Sequence, residues 1–128
     1  MQTGILEPVP PLARYLSFSL RQDGEPRSVF RKLSELVDGR RVVAGIGECL
    51  LHAVSSPVPG IRTFPALTGP AIAIQSTPRA LWIWLRGNDR GELLHETRRI
   101  RDALADHAQL VDVIDAFCYG DSLDLTGY

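Results

Sequence analysis

The hydrophobic rhythm of this chain switches twice from period two to the helical period, and that double switch leaves few folds open. Residues 14–20 alternate: Leu16, Phe18 and Leu20 share one side, while Tyr15, Ser17 and Ser19 share the other. After Gln22-Asp23-Gly24, the residues Val29, Phe30, Leu33, Leu36 and Val37 recur at helical spacing behind Pro26, a residue tolerated in a first turn. Asp38-Gly39 closes that helix, with Gly39 as its expected left-handed cap. A short strand over residues 41–46 follows, and residues 50–53 add a helical turn. The rhythm then repeats. Leu81, Ile83 and Leu85 alternate with Trp82 and Trp84, and Gly87-Asn88-Asp89 breaks the strand. Residues 90–107 read as a second helix, with Leu93, Leu94, Ile100 and Leu104 on its apolar side and Arg98 and Asp102 forming an i,i+4 pair. Residues 111–119 form the last strand, which includes Cys118 as a small buried thiol.

Strand, helix, strand, long connection, strand, helix, strand is the order of a ferredoxin-like (βαββαβ) α+β sandwich. Its four-stranded antiparallel sheet carries both helices on one face. The other face, bearing Trp82, Trp84, Tyr15 and Tyr119, needs a cover from a second domain or a second chain. One domain spans residues 1–128. Residues 1–12, with Pro8, Pro10 and Pro11, form an extended arm that can be neither helix interior nor central strand. Residues 55–78, with five prolines, form a long loop with an edge strand at residues 71–74. Residues 120–128 form a tail.

Composition excludes several functions. Fourteen basic against 15 acidic residues give a net charge of −1, without the basic field of a nucleic-acid binder. Thirteen of the 14 are arginines, scattered rather than clustered. No apolar run approaches the roughly 18 residues of a membrane span, and the N-terminus lacks the pattern of a secretory signal. Cys49 and Cys118 are too few for a disulfide scaffold, so a cytoplasmic location is expected. Chemical motifs fail one by one. Gly45-Ile46-Gly47 lacks the third glycine of a dinucleotide loop, since position 50 is Leu. His95-Glu96-Thr97-Arg98-Arg99 has arginine where a zinc helix needs its second histidine. His52, His95 and His107 share no ligand spacing. Asp112, Asp115, Asp121 and Asp124 do not make a calcium loop. A small metal or thiol enzyme is thereby disfavoured.

Three segments carry a resemblance. Gly4-Ile5-Leu6-Glu7-Pro8, the run from Leu81 to Leu93, and the run from Ile114 to Tyr128 are similar to the N-terminal half of bacterial dye-decolorizing (DyP-type) haem peroxidases. In that family a run like Asp124-Leu125-Thr126-Gly127-Tyr128 leads into a Gly-x-x-Asp-Gly motif, whose first two positions Gly127 and Tyr128 match. The resemblance implies half of a dimeric α+β-barrel-type peroxidase that uses haem b and peroxide to oxidise dyes and other bulky donors. It places the proximal histidine and distal arginine in the second half and the distal aspartate just past Tyr128. This chain is then expected to bind haem weakly by itself and to carry no catalytic or metal residue. Gly127 is its one cofactor-site position, at the start of the distal loop. The expected partner is the C-terminal haem domain or a second copy of the chain, in a homo-oligomer. The other reading is a stand-alone ferredoxin-like module for dimerisation or small-molecule binding.

Overall fold

The computed structural model describes residues 1–122. Strand β1 runs Leu12–Leu20 and begins two residues before the alternation predicts. Leu16 and Phe18 are completely buried, and Tyr15 and Ser17 stand half-buried on the opposite side. Helix α1, Pro26–Leu36, has Pro26 in its first turn and buries Val29, Leu33 and Leu36. Gly39 is left-handed, at φ +74°, but it does not cap α1. The helix closes at Val37, whose N–H reaches the Leu33 carbonyl at 2.9 Å. Gly39 instead shapes the turn into strand β2, Val42–Ile46. Asp38 Oδ1 accepts the N–H groups of Arg40, Arg41 and Val42 in that turn, at 2.8, 2.8 and 2.9 Å.

A short helix α2, Glu48–Ala53, follows Gly47 and buries Leu50 and Leu51. In the long connection, β3 (Leu67–Thr68) and β4 (Ala73–Ile74) pair with each other as a separate hairpin. The edge strand expected at residues 71–74 therefore does not join the main sheet. A local turn, with Gly69 N–H on the Ile72 carbonyl at 2.8 Å, closes a shorter loop than a return to the sheet would. The outer edge of β2 is in any case occupied. The Gln2 side-chain amide donates to the Ala44 carbonyl at 2.8 Å and accepts the Ala44 N–H at 2.7 Å.

Strand β5 is Leu81–Gly87. Helix α3 is Arg90–Leu104, and its N-cap Asp89 accepts the Glu92 N–H at 2.8 Å. It ends three residues before the periodicity predicts, because residues 105–107 turn directly into β6, Ala108–Phe117. The Arg98–Asp102 pair does not form; Arg101 holds Asp102 at 2.8 Å. Cys118 falls just past β6, half-buried. Its thiol donates to the Pro10 carbonyl at 3.3 Å and its N–H to the Pro11 carbonyl at 3.0 Å, so it ties the arm to the strand end.

The main sheet has the order β2-β5-β1-β6, antiparallel throughout. Leu16, Phe18, Leu81, Ile83 and Leu85 of the sheet form one buried cluster with Val29 and Leu33 of α1 and Leu93, Ile100 and Leu104 of α3. Both long helices thus cover one face, and the architecture is the ferredoxin-like α+β sandwich. Among the described residues, no helix is long and apolar enough to cross a membrane.

Candidate functional site

Side chains directly opposite in an antiparallel pair share a face, so the register defines what stands opposite the helices. Tyr15 is flanked by Trp84 of β5 and Ile114 of β6, and Ser17 by Trp82 and Asp112. Gly45 and Val43 of β2 lie beside Trp82 and Trp84. The Trp82 ring lies against Gly45, 3.5 Å from where a Cβ would sit, which is ordinary van der Waals contact. Tyr15 stacks on Trp82 with centroids 5.4 Å apart and planes 14° apart. Trp84 tilts against both, at 6.2 and 6.5 Å. These separations lie in the range where aromatic pairs attract beyond simple burial. Trp82 is 39% exposed and Ile114 54%. Tyr119 stands past the end of β6, exposed, outside this stack.

One end of this face is covered. Ala13 and Val43 are only 6% and 2% exposed, although no helix lies over them. Their cover is the N-terminal arm, which forms a 3-10 turn at Thr3–Ile5. Arg86, directly opposite Ala13, is 7% exposed and latches that arm. Its guanidinium lies 4.5 Å above the Trp84 ring centroid, donates through Nη1 to the Gly4 carbonyl, and through Nη2 to the Pro8 carbonyl at 2.6 Å. No carboxylate bonds to it among the described residues. A cation–π contact and two charge-assisted hydrogen bonds thus offset its loss of water. The sequence reading missed Arg86, although its place two residues after Trp84 in a strand puts both on one face. Trp84 Nε1 is the buried side-chain polar atom left without a partner among the described residues.

The groups whose ionisation is shifted lie elsewhere. On the helix side, Arg14 Nε and Nη2 grip both oxygens of Asp115 at 2.6 and 2.7 Å. This hydrogen bonding raises the Arg14 pKa and holds the Asp115 carboxyl below its usual range, and nearby Arg90 adds to the second effect. A cleft of about 610 Å³ opens between α1 and α3. Its charges satisfy one another: Arg41 holds Glu92 at 2.7 Å, and Arg99 holds Glu96. His95 lines this cleft, exposed on α3. His52 is exposed on α2, 3.5 Å from Glu48. His107 is half-buried between α3 and β6, and its Nδ1 accepts the Glu25 N–H at 3.4 Å. The three histidines therefore occupy separate elements, none on the aromatic face. Among the described residues no group of three His, Cys, Asp or Glu side chains could hold a metal ion. Cys49 is exposed and free. Gly127 and Tyr128 lie outside the described residues.

No family model matches the chain, and no curated protein does. Solved structures do. Over 98% of its length the chain superposes on DyPB from Rhodococcus jostii RHA1 with a TM-score of 0.78 and 23% identity. It superposes over 97% on the encapsulated DyP-type peroxidase from Mycobacterium smegmatis, at 0.80 and 23%. It superposes over 95% on a dye-decolorizing peroxidase from Bacteroides thetaiotaomicron, at 0.79 and 15%. The chain has the fold of one half of a DyP-type peroxidase. It spans 45%, 44% and 45% of those three chains, less than half of each. The ferredoxin-like architecture inferred from the double rhythm is thus the one that these proteins share. The chain superposes likewise on two variants of R. jostii RHA1 DypB, whose structures contain haem.

Proposed function

We propose that this chain is a DyP-like peroxidase domain, one ferredoxin-like half of a haem-dependent enzyme that uses peroxide to oxidise dyes and other bulky donors. The observation that carries the reading is the end-to-end superposition on DyP-type peroxidases, at TM-scores of 0.75–0.80. The uncovered Tyr15-Trp82-Trp84 face supports it, because that face suits packing against a second ferredoxin-like sheet. The partner is the C-terminal haem domain or a second copy of this chain, and the assembly works in the cytoplasm.

Peroxidase chemistry needs an axial ligand on the iron and an acid–base group beside the peroxide. The described residues do not fit haem by themselves: the aromatic face offers packing surface but no histidine, and the three histidines do not converge. Haem supplies the oxidising power in a complete enzyme. In this reading the chain contributes the wall formed by β1, β5 and β6 and the strand that leads to the distal loop at Gly127.

Two titrations with haemin, followed in the Soret region, test the proposal. The 128-residue chain alone should take up haemin without saturation and oxidise no dye when peroxide is added. A chimera in which it replaces the matching half of the M. smegmatis peroxidase should bind haemin one to one. A saturable shift with dye oxidation by the chain alone would overturn the inert-half reading. A chimera that folds by circular dichroism yet binds no haemin would overturn the peroxidase-domain reading.

A further inference from the structure

We propose that the hairpin of the long connection, β3–β4 with its flanking arginines, docks this protein peripherally on an anionic membrane surface. The inference is independent of the peroxidase reading and makes no use of the aromatic face.

Charge is distributed unevenly along the chain. Between Glu48 and Asp89 there is no acidic residue, so all 15 acids lie outside that stretch. Its cations are Arg62, Arg79 and Arg86, and Arg86 is the buried latch of the arm. Arg62 and Arg79 are exposed and hold no carboxylate among the described residues; Arg79 Nη1 donates to the neighbouring Pro78 carbonyl at 3.2 Å. Both arginines line one recess of about 280 Å³, together with Ile61 and Phe64. Glu48, the one carboxylate lining that recess, accepts the Thr63 N–H at 2.7 Å and stands 3.5 Å from His52.

The same stretch turns its large apolar side chains to water. Val58, Ile61, Phe64, Leu67, Ile72 and Ile74 are 42–71% exposed, and no residue from 55 to 79 belongs to the buried core. Leu67 pairs with Ile74 across the two strands, so these side chains share a face. The Gly69 N–H on the Ile72 carbonyl closes the tip, and Ser76 Oγ donates to the Phe64 carbonyl at 2.6 Å nearer the base. Arg62 and Arg79 stand at the root, five residues before Leu67 and five after Ile74. A two-stranded hairpin with its apolar side chains in water is marginal by itself, and such a surface marks an interaction site.

Charge and backbone chemistry select the occupant. A bilayer with anionic headgroups presents a negative layer over an apolar one. The hairpin presents the complement: apolar side chains towards its tip and two free arginines at its root. Burial of the first at the headgroup–acyl boundary and attraction of the second to the headgroups act together. Backbone donors are costly to bring near lipid unless they are paired. Pro65 and Pro70 have none, and the Gly69 N–H is already paired within the turn.

The test is co-sedimentation of the full 128-residue chain with vesicles of phosphatidylcholine, with and without about one-third phosphatidylserine. The chain should bind the anionic vesicles, bind the neutral ones about tenfold less, and come off as added salt screens the surface charge. Arg62→Gln combined with Arg79→Gln should weaken binding to the anionic vesicles about tenfold or more. Leu67→Ser combined with Ile72→Ser should weaken it by about as much. Circular dichroism and the melting temperature should stay unchanged in both variants, because all four side chains are exposed and lie outside the core. No binding to either vesicle overturns the proposal and leaves a protein as the occupant of the hairpin. Binding that survives both pairs of substitutions overturns it as well, because another surface then meets the lipid. Equal binding to neutral and anionic vesicles overturns the role given to the arginines.

Discussion

Replacing Arg86 with Met tests whether one buried cation holds the arm to the sheet. Methionine keeps an unbranched stem against Trp84 but removes the charge and both donors. Three effects are at stake. The two bonds to Gly4 and Pro8 are charge-assisted, worth about 1.5–3 kcal/mol each before compensation. The stacking on Trp84 adds about 1–2 kcal/mol for a desolvated cation. Against these stands the burial of a guanidinium without a carboxylate, which costs several kcal/mol. The exposed Pro8 can find water, whereas the Gly4 carbonyl, at a buried residue, is left unpaired, a penalty of about 1–3 kcal/mol. The net expectation is a loss of about 2 kcal/mol, or roughly 6–10 °C in melting temperature for a domain of this size. Arg86→Lys should recover little of it, because one ammonium cannot reproduce a fork bonded to two separate carbonyls. Thermal melts by circular dichroism give the loss, and amide exchange at Gly4 reports release of the arm. An unchanged or raised melting temperature with Gly4 still protected would refute the latch.

Two further outcomes follow from local geometry. Burial pushes the Asp38 carboxyl up, but the N–H groups of Val42, Arg40 and Arg41 more than reverse this and leave it below its ordinary value; its contribution to stability is therefore present above the unfolded carboxylate value of about 3.9 and lost as pH falls through the folded one. Asp38→Asn keeps an oxygen acceptor without the titration, so acid unfolding followed by fluorescence should lose part of its slope below about pH 4, by under 1 kcal/mol for so exposed a group; an identical slope contradicts the assignment. Gly47→Ala should abolish soluble expression or destabilise by more than about 3 kcal/mol, since a Cβ there would overlap the Arg79 carbonyl oxygen, which is backbone and cannot step aside; a melting temperature near wild type would show that the β2–α2 junction shifts freely.

The rhythm of the sequence was enough to place the six elements of the sandwich and to assign Leu16, Phe18, Ile83 and Leu85 to the helix side, because the side-chain period of a strand is a local property of the chain. Pro26 marked the start of α1 for an equally local reason. The errors arose where a distant partner decides. Gly39 has the backbone angle expected of it, yet it shapes a turn into β2 fixed by Asp38 rather than a helix end. The apolar residues near Ile74 were read as a sheet edge, but Gln2, more than forty positions from Ala44, already occupies the outer edge of β2.

The candidate site divides the same way. Trp82 and Trp84 had to share a face from their spacing alone, and that face had to lack a helix once the strand order was known. That Tyr15 stacks on Trp82, and that Tyr119 stays apart, depends on the antiparallel register between β1 and β5 and on where β6 ends. Arg86 was legible as a residue on the Trp84 face but not as a latch, because its acceptors Gly4 and Pro8 lie 82 and 78 positions away. Alternation and helical spacing are set by bonds within a few residues, so the sequence by itself determined the elements and their faces. Which backbone groups meet across the molecule depends on how those elements pack, and only the tertiary structure decided that the arm closes one end of the aromatic face and leaves the rest open.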